Sequence, residues 1–309
     1  MMIRKSWISV AVVVGCLCAA AGANAEEPMT IRAMGMGDAL GAAASGDNAL
    51  FLNPAGMSLV NAYSLTGWYQ YAVRREGHIA HVSVVDAVTS RRVHAGLYYT
   101  FHYSRPEVFE PRLQRSIKLK VQGHETGLAI SVPIGQYVIL GAQASYVFLE
   151  RTTQVPGDEE GKTTDASTKK NTTGITTGIV IRPTQSFNIG VVGRNLVPTH
   201  TIENPTELIV GAAYSFKRVV LVDCDLVLNF DTPERKQMVG VRGGLEVFIK
   251  GQFSIRGGTW YAGYPGATYV TAGFGYISTK VAVDVGFAQQ VDGGVETRFG
   301  LGLRLFFNQ

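Results

Sequence analysis

The stretch Phe299-Gly-Leu-Gly-Leu-Arg-Leu-Phe-Phe307 alternates without a break. Side chains of an extended strand point to opposite faces in turn. Phe299, Leu301, Leu303, Leu305 and Phe307 therefore form one row, and Gly300, Gly302, Arg304 and Phe306 form the other. The first row suits hydrocarbon. The second suits a polar interior or a plug.

The pattern recurs along the chain. Period-two stretches fall at about 62–74, 77–88, 92–103, 117–132, 137–150, 173–182, 187–196, 207–216, 219–230, 237–249, 252–261, 268–278, 280–289 and 296–307. Their lengths are near the ~9–11 residues with which a tilted strand crosses a bilayer. Beyond the amino-terminal leader no apolar run approaches the ~20 residues of a spanning helix. Glycine is abundant at 36 residues, and 13 Tyr and 14 Phe outnumber 3 Trp. The expected fold is all-β, a transmembrane antiparallel β-barrel of about fourteen strands, with twelve or sixteen as the neighbouring counts. A soluble β-sandwich would also alternate, but it must hide every apolar face between two sheets and leaves the Phe-rich terminal strand unexplained.

In 117–132 the apolar phase changes: Ile117, Leu119 and Val121 are odd, whereas Leu128, Ile130 and Val132 are even. A β-bulge near Gly123 is the expected remedy. The polar stretch 151–172 reads as a long exposed loop, and 104–116, with Pro106 and Pro111, as a second irregular connection on the same outer rim.

Arg4 and Lys5, the apolar run Trp7 to Leu17 and the triplet Ala23-Asn24-Ala25 read as a cleaved signal peptide over 1–25. The rival is a lipidated leader, since Val13-Val14-Gly15-Cys16 loosely fits a lipidation box. Cleavage takes Lys+Arg from 28 to 26 against 24 acidic residues and leaves Cys224 as the one cysteine, so neither a disulfide nor a nucleic-acid partner is expected. Residues 26–61 are not strand-like. Small residues predominate there, including Gly35, Gly37, Ala42 and Ala43, and Asn53-Pro54-Ala55-Gly56 supplies a fixed turn. Such a segment at the start of a barrel (62–309) is most simply a hatch folded inside it.

Met34-Gly-Met-Gly37, Asp47-Asn-Ala49 and Asn53-Pro-Ala-Gly-Met57 resemble the amino-terminal hatch of the long-chain fatty-acid transporter (FadL-like) superfamily of outer-membrane barrels. The stretches 189–196, 205–214 and 244–247, the last followed by Ile255-Arg-Gly257, resemble its PorV-like branch. The resemblance implies a fourteen-stranded barrel in a bacterial outer membrane, exported by the leader. It also implies either passage of a hydrophobic small molecule past the hatch and through a lateral opening, or a non-conducting barrel serving an envelope secretion or surface-motility complex. The chain is shorter than the typical fatty-acid transporter and lacks the long external loops of that family, which weakens the case for a high-affinity external capture site.

On this reading the ligand path runs by Gly35, Gly37, Asn53, Pro54, Gly56 and the bulge at Gly123. With the apolar row outward, the inward row holds Arg194, Asp223, Asp225, Asn229, Arg242, Glu246, Arg256, Asp284, Glu296, Arg298 and Arg304. Both signs interleave. Neighbouring strands are ~4.8 Å apart, so Asp223 and Asp225 can reach Arg242, and Glu246 can reach Arg256. The plain role of this network is to tie wall and hatch together; the sharper role is to gate a path. A selective porin would show one dominant sign.

No enzyme is expected, because nothing local nominates a serine, histidine and acid to converge. His78 and His81 point to opposite faces, and His94 and His102 share a face ~27 Å apart, so no metal is expected. Gly35-x-Gly37 followed by Gly41 misses the dinucleotide spacing, so no cofactor is expected. The expected partners are outer-membrane lipid around the wall and either a hydrophobic small molecule or an envelope protein.

Overall fold

A computed structural model describes residues 29–110, 115–156, 163–197, 205–292 and 294–307. The leader over 1–25 lies outside the described residues. The strands are β1 (Tyr63–Ala72), β2 (Gly77–Asp86), β3 (His94–Ser104), β4 (Glu107–Glu110), β5 (Arg115–Ile134), β6 (Val138–Pro156), β7 (Thr163–Ile181), β8 (Phe187–Arg194), β9 (Glu207–Phe216), β10 (Val220–Asn229), β11 (Val239–Ile249), β12 (Phe253–Ala262), β13 (Ala267–Ile277), β14 (Val281–Gln290) and β15 (Thr297–Phe307).

Every pairing is antiparallel between sequence neighbours, and β15 returns to pair with β1 along its whole length, Tyr63 opposite Phe307 and Ala72 opposite Arg298. The fifteen strands fill fourteen positions, because β3 and β4 both pair with β5: β4 continues β3 in the same register after the Arg105–Pro106 break. The wall is therefore a closed fourteen-stranded barrel, in which β7 pairs with β8 only from Thr177 to Ile181 and its upper part, 163–176, pairs with β6 alone among the described strands.

At the end where the chain enters β1, several connections are minimal hairpins. Lys217 and Arg218 both have positive φ, and Val219 N donates to Phe216 O at 2.9 Å, a two-residue turn whose twist matches the strands it joins. The longer connections lie at the opposite end, which is also where β5, β6 and β7 extend beyond their neighbours.

The two faces sort as the alternation demands. In β15 Leu301 is 58% exposed and Phe299 49%, while Gly300 and Gly302 are buried. The same apolar outer row runs through Leu97 and Tyr99, Leu128 and Ile130, Val222 and Leu226, Val241 and Leu245, and Phe274. Large apolar side chains that stay exposed around the whole belt require hydrocarbon, not water, as their neighbour.

Two expectations are corrected. There is no bulge at Gly123: β3 and β5 keep one register from His94–Ser131 to Ser104–Val121, with Gly123 opposite His102, and β5 and β6 keep one register throughout. Odd residues of β5 face inward all along it. Ile117, Leu119 and Val121 are buried, Leu119 and Val121 packing with Leu149, while Lys118 and Lys120 are exposed. The apolar phase inverts because this part of the strand has left the hydrocarbon, so water lies outside and apolar packing inside. Nor are 151–156 and 163–172 a loop. β6 runs to Pro156 and β7 starts at Thr163, forming one long hairpin whose outward residues are polar for the same reason.

An arginine placed on the outer row at mid-bilayer should cost about 2–4 kcal/mol of folding stability. Leu301→Arg is predicted to lose that amount in urea titrations of the barrel in lipid vesicles. A loss below about 0.5 kcal/mol would mean that this row does not face hydrocarbon.

Candidate functional site

Residues 29–61 run inside the wall and back to its lower end, where β1 begins. Thr30 caps a short helix, Ile31–Gly35, by accepting from Ala33 N at 3.4 Å. A second helix, Asp47–Leu52, leads into a 3-10 turn, Pro54–Leu59. Asn53 caps that turn through Oδ1, which accepts from Ala55 N at 3.2 Å, and Pro54 stands at its first position, where no amide hydrogen is needed. Ala33, Met34, Met36, Leu40, Leu50 and Met57 are all completely buried, so this segment and the inner wall form the core of the molecule.

The inner wall accepts the segment because its inward row carries glycine. A methyl group on Gly300 would lie 2.5 Å from Ile31 Cδ1, on Gly286 2.9 Å from Ile31 O, and on Gly273 2.9 Å from Gly35 Cα. On Gly244 and Gly258 it would run into the Met36 backbone, on Gly190 into Gly41, on Gly178 into Asn53 and on Gly141 into Ala55. On Gly96 it would stand 2.6 Å from Leu50 Cδ2. Backbone meets backbone or side chain at van der Waals distance on most sides.

Polar groups then fix the register of segment on wall. Glu246, fully buried, receives Arg32 of the segment at 2.7 Å and Arg256 of β12 at 2.7 Å, and Arg256 also donates to Asp284 at 2.6 Å. Arg242 reaches Asp38 at 2.8 Å, and Arg304 pairs with Asp47. Arg194 bonds Glu207 at 3.2 Å and the Phe51 carbonyl at 3.1 Å. Asp225 lies opposite Arg242 in the ladder and accepts from Gly41 N at 2.9 Å. Asp223 is fully buried on the same row, with Asp225 and Arg32 as its charged neighbours.

The remaining sequence candidates divide. Gly37 N donates to Thr271 Oγ1 at 3.0 Å, and Gly35 O accepts from the same hydroxyl at 3.1 Å. Asn53 Nδ2 donates to Gly41 O at 2.8 Å, joining two parts of the segment, and Gly56 gives room for the Ala44 carbonyl. Gly123 is buried on β5 between His102 and Leu149, away from this segment. Glu296, near the upper rim, accepts from Arg74 N at 3.1 Å, and Arg298 lies 5.3 Å over the Tyr269 ring. Asn229 Oδ1 accepts from Asp231 N at 3.0 Å at the end of β10.

Several participants were absent from the sequence reading. Arg32, Asp38 and Asp47 are the segment's half of the ion pairs. Phe51 fills a cage of rings on the wall, with centroids 4.9 Å from Tyr98, 5.0 Å from His81 and 6.0 Å from Trp68. Among the described residues no three His, Cys, Asp or Glu side chains converge as metal ligands.

Removing one member of a buried ion pair costs about 3–5 kcal/mol, because the partner stays charged and buried. Glu246→Ala strands Arg32 and Arg256 together and is predicted to lose that much stability in vesicle unfolding; an unchanged unfolding midpoint would show that the pairs are not formed. Asn53→Ala removes a cap and the bond to Gly41 and should cost about 1–3 kcal/mol. Channel behaviour and stability both unchanged in that variant would contradict the seating of the segment.

No protein-family model matches the chain, and no curated protein matches it either. Solved structures do. The Pseudomonas putida toluene transporter TodX superposes with a TM-score of 0.68 at 12% identity, covering 93% of this chain and 99% of that one. The CymD monoaromatic hydrocarbon channel gives 0.67 at 15% identity, covering 91% and 98%. A Pseudomonas aeruginosa FadL homologue gives 0.67 at 12%, covering 92% and 100%. Over nearly its whole length, the chain has the fold of these FadL-like hydrocarbon channels and transporters.

Proposed function

We propose that the protein lies in a bacterial outer membrane and passes small hydrophobic molecules across it, with residues 26–61 acting as a hatch that must shift for passage. The carrying observation is that residues 29–61 pack backbone against the inner wall and are held there by ion pairs and hydrogen bonds. On this reading the packed segment stops free aqueous flow and yields to a ligand that replaces its packing. The whole-chain likeness to hydrocarbon channels supports the same reading. The lateral exit expected at Gly123 loses its observation, since the ladders there are regular.

A second reading is a non-conducting, PorV-like barrel that presents its surface to an envelope partner. The ion pairs across the lumen favour it, as does the extension of β5, β6 and β7 beyond the rest of the rim. Uptake into vesicles carrying the purified barrel separates the two. The transport reading predicts entry of a hydrophobic fluorescent tracer at least fivefold above protein-free vesicles, with glucose at background. Rapid glucose entry would make it a general porin. Neither solute entering faster than background would favour the partner barrel.

A further inference from the structure

The outward face of the wall changes character near the upper rim, between β1 and β7. Successive rungs of the ladder turn aromatic rings outward there. Tyr99, Phe101 and Tyr103 stand on β3, Tyr71 and His78 on β1 and β2, and His124 and Phe148 on β5 and β6. His124 lies 5.3 Å from Phe101 and 6.2 Å from Phe148, and His78 lies 5.0 Å from Tyr71 and 6.1 Å from Tyr103. Tyr99 and His124 also share a hydrogen bond of 2.7 Å. Such a belt marks the boundary between hydrocarbon and headgroups.

Directly above the belt the outward row turns basic. Ser104 pairs with Val121 and Glu107 with Lys118 in one register, so Arg105 stands across from Lys120. Arg105, Lys118 and Lys120 are exposed, and none of their charged groups makes an ion pair or hydrogen bond among the described residues. Lys120 Nζ lies 5.9 Å over the Tyr103 ring, at the upper edge of the belt. Neighbouring strands are ~4.8 Å apart and same-face residues ~6.7 Å, so these three long side chains can converge on one phosphate. The nearest carboxylates in the ladder are Glu107, opposite Lys118, and Glu150, which is engaged by Lys169 at 3.7 Å and Ser167 at 3.0 Å. Exposed cations need no partner in water. What singles these out is their position, at the depth where a leaflet carries its phosphates.

We infer that this face is a binding site for a phosphorylated glycolipid of the outer leaflet, of the lipid A class. A phosphate lies on Arg105, Lys118 and Lys120. Beside them Gln122, Thr152 and Ser167 point outward on β5, β6 and β7, amide and hydroxyl groups that suit a sugar. Below the belt Leu97, Leu128 and Leu140 are outward and exposed, a surface for acyl chains. A phospholipid without a sugar would leave the polar row unused. The belt ends one rung below Lys120, so β5, β6 and β7 must extend beyond their neighbours to present the site. The inference rests on the reading that the barrel lies in an outer membrane, with its upper rim outside.

Native mass spectrometry of the full barrel, purified in detergent and supplied with bis-phosphorylated lipid A, tests it. The site predicts one retained lipid A per barrel under activation that strips phosphatidylglycerol. Arg105→Gln/Lys118→Gln/Lys120→Gln should lower the retained fraction at least fivefold, and Lys120→Gln alone at least twofold. Arg91→Gln/Arg92→Gln, exposed at the lower end, should leave it unchanged. Tracer uptake by the triple variant should match that of the native chain, which reports that the barrel has folded. Equal retention by the native chain and both Lys120 variants, an equal loss in the lower pair, or phosphatidylglycerol held as firmly as lipid A would overturn the site. A chain recovered from the outer membrane without selective lipid A removes the site and leaves the location standing; a chain recovered from another membrane removes the location, and the role of the site with it.

Discussion

The structure depends on one steric constraint, the approach of two backbones where the inner wall carries no side chain. A barrel of fourteen strands encloses a lumen that must be filled by water, by wall side chains or by another piece of chain. Here glycine on the inward row of successive strands removes the wall's own filling. Residues 29–61, themselves rich in glycine and alanine, replace it at van der Waals distance. Close contact on both sides recovers dispersion energy that a wet lumen would forgo. It also fixes the path of the segment closely enough for charges to be paired across the gap.

Electrostatics follow from that fit. A buried charge without a partner is expensive, and one with a partner in good geometry is tolerable. Each cation brought to the interface by the segment or the wall meets a carboxylate of the other or of a neighbouring strand: Arg32 with Glu246, Arg242 with Asp38, Arg304 with Asp47, Arg256 with Glu246 and Asp284. The pairing makes the seating of the segment specific. Apolar packing alone would seat the segment in several nearby registers, whereas these pairs single out one.

Much of the wall was legible because alternation is a local property. The fourteen period-two stretches correspond to the fourteen strand positions, and the outward row was assigned to the correct face. What misled was a change of surroundings along one strand. Ile117 to Val121 look out of phase with Leu128 to Val132 only if the outside is assumed apolar throughout. The same assumption turned the polar upper halves of β6 and β7 into a loop. The inward charges were legible as a set, and Glu246 does meet Arg256, but Arg32, Asp38 and Asp47 could not be paired from sequence because their positions depend on a folded path with no period. A usable signal was present in the glycines: Gly244, Gly258, Gly273, Gly286 and Gly300 recur at intervals of 13 to 15 residues, one strand plus its turn. Placed on the inward row, that recurrence marks the surface against which the segment packs.

The central claim is that the amino-terminal segment occupies the lumen and must move for cargo to pass. Ile31 Cβ would stand 3.6 Å from a Cβ built on Gly302, within the span that a disulfide bridges. The decisive measurement is tracer uptake by Ile31→Cys/Gly302→Cys in a Cys224→Ser background, oxidised and then reduced. The account predicts that the bridge forms in high yield, that uptake stops, and that reduction restores it. Failure of the bridge to form in the folded barrel, or undiminished uptake with the bridge complete, would contradict it.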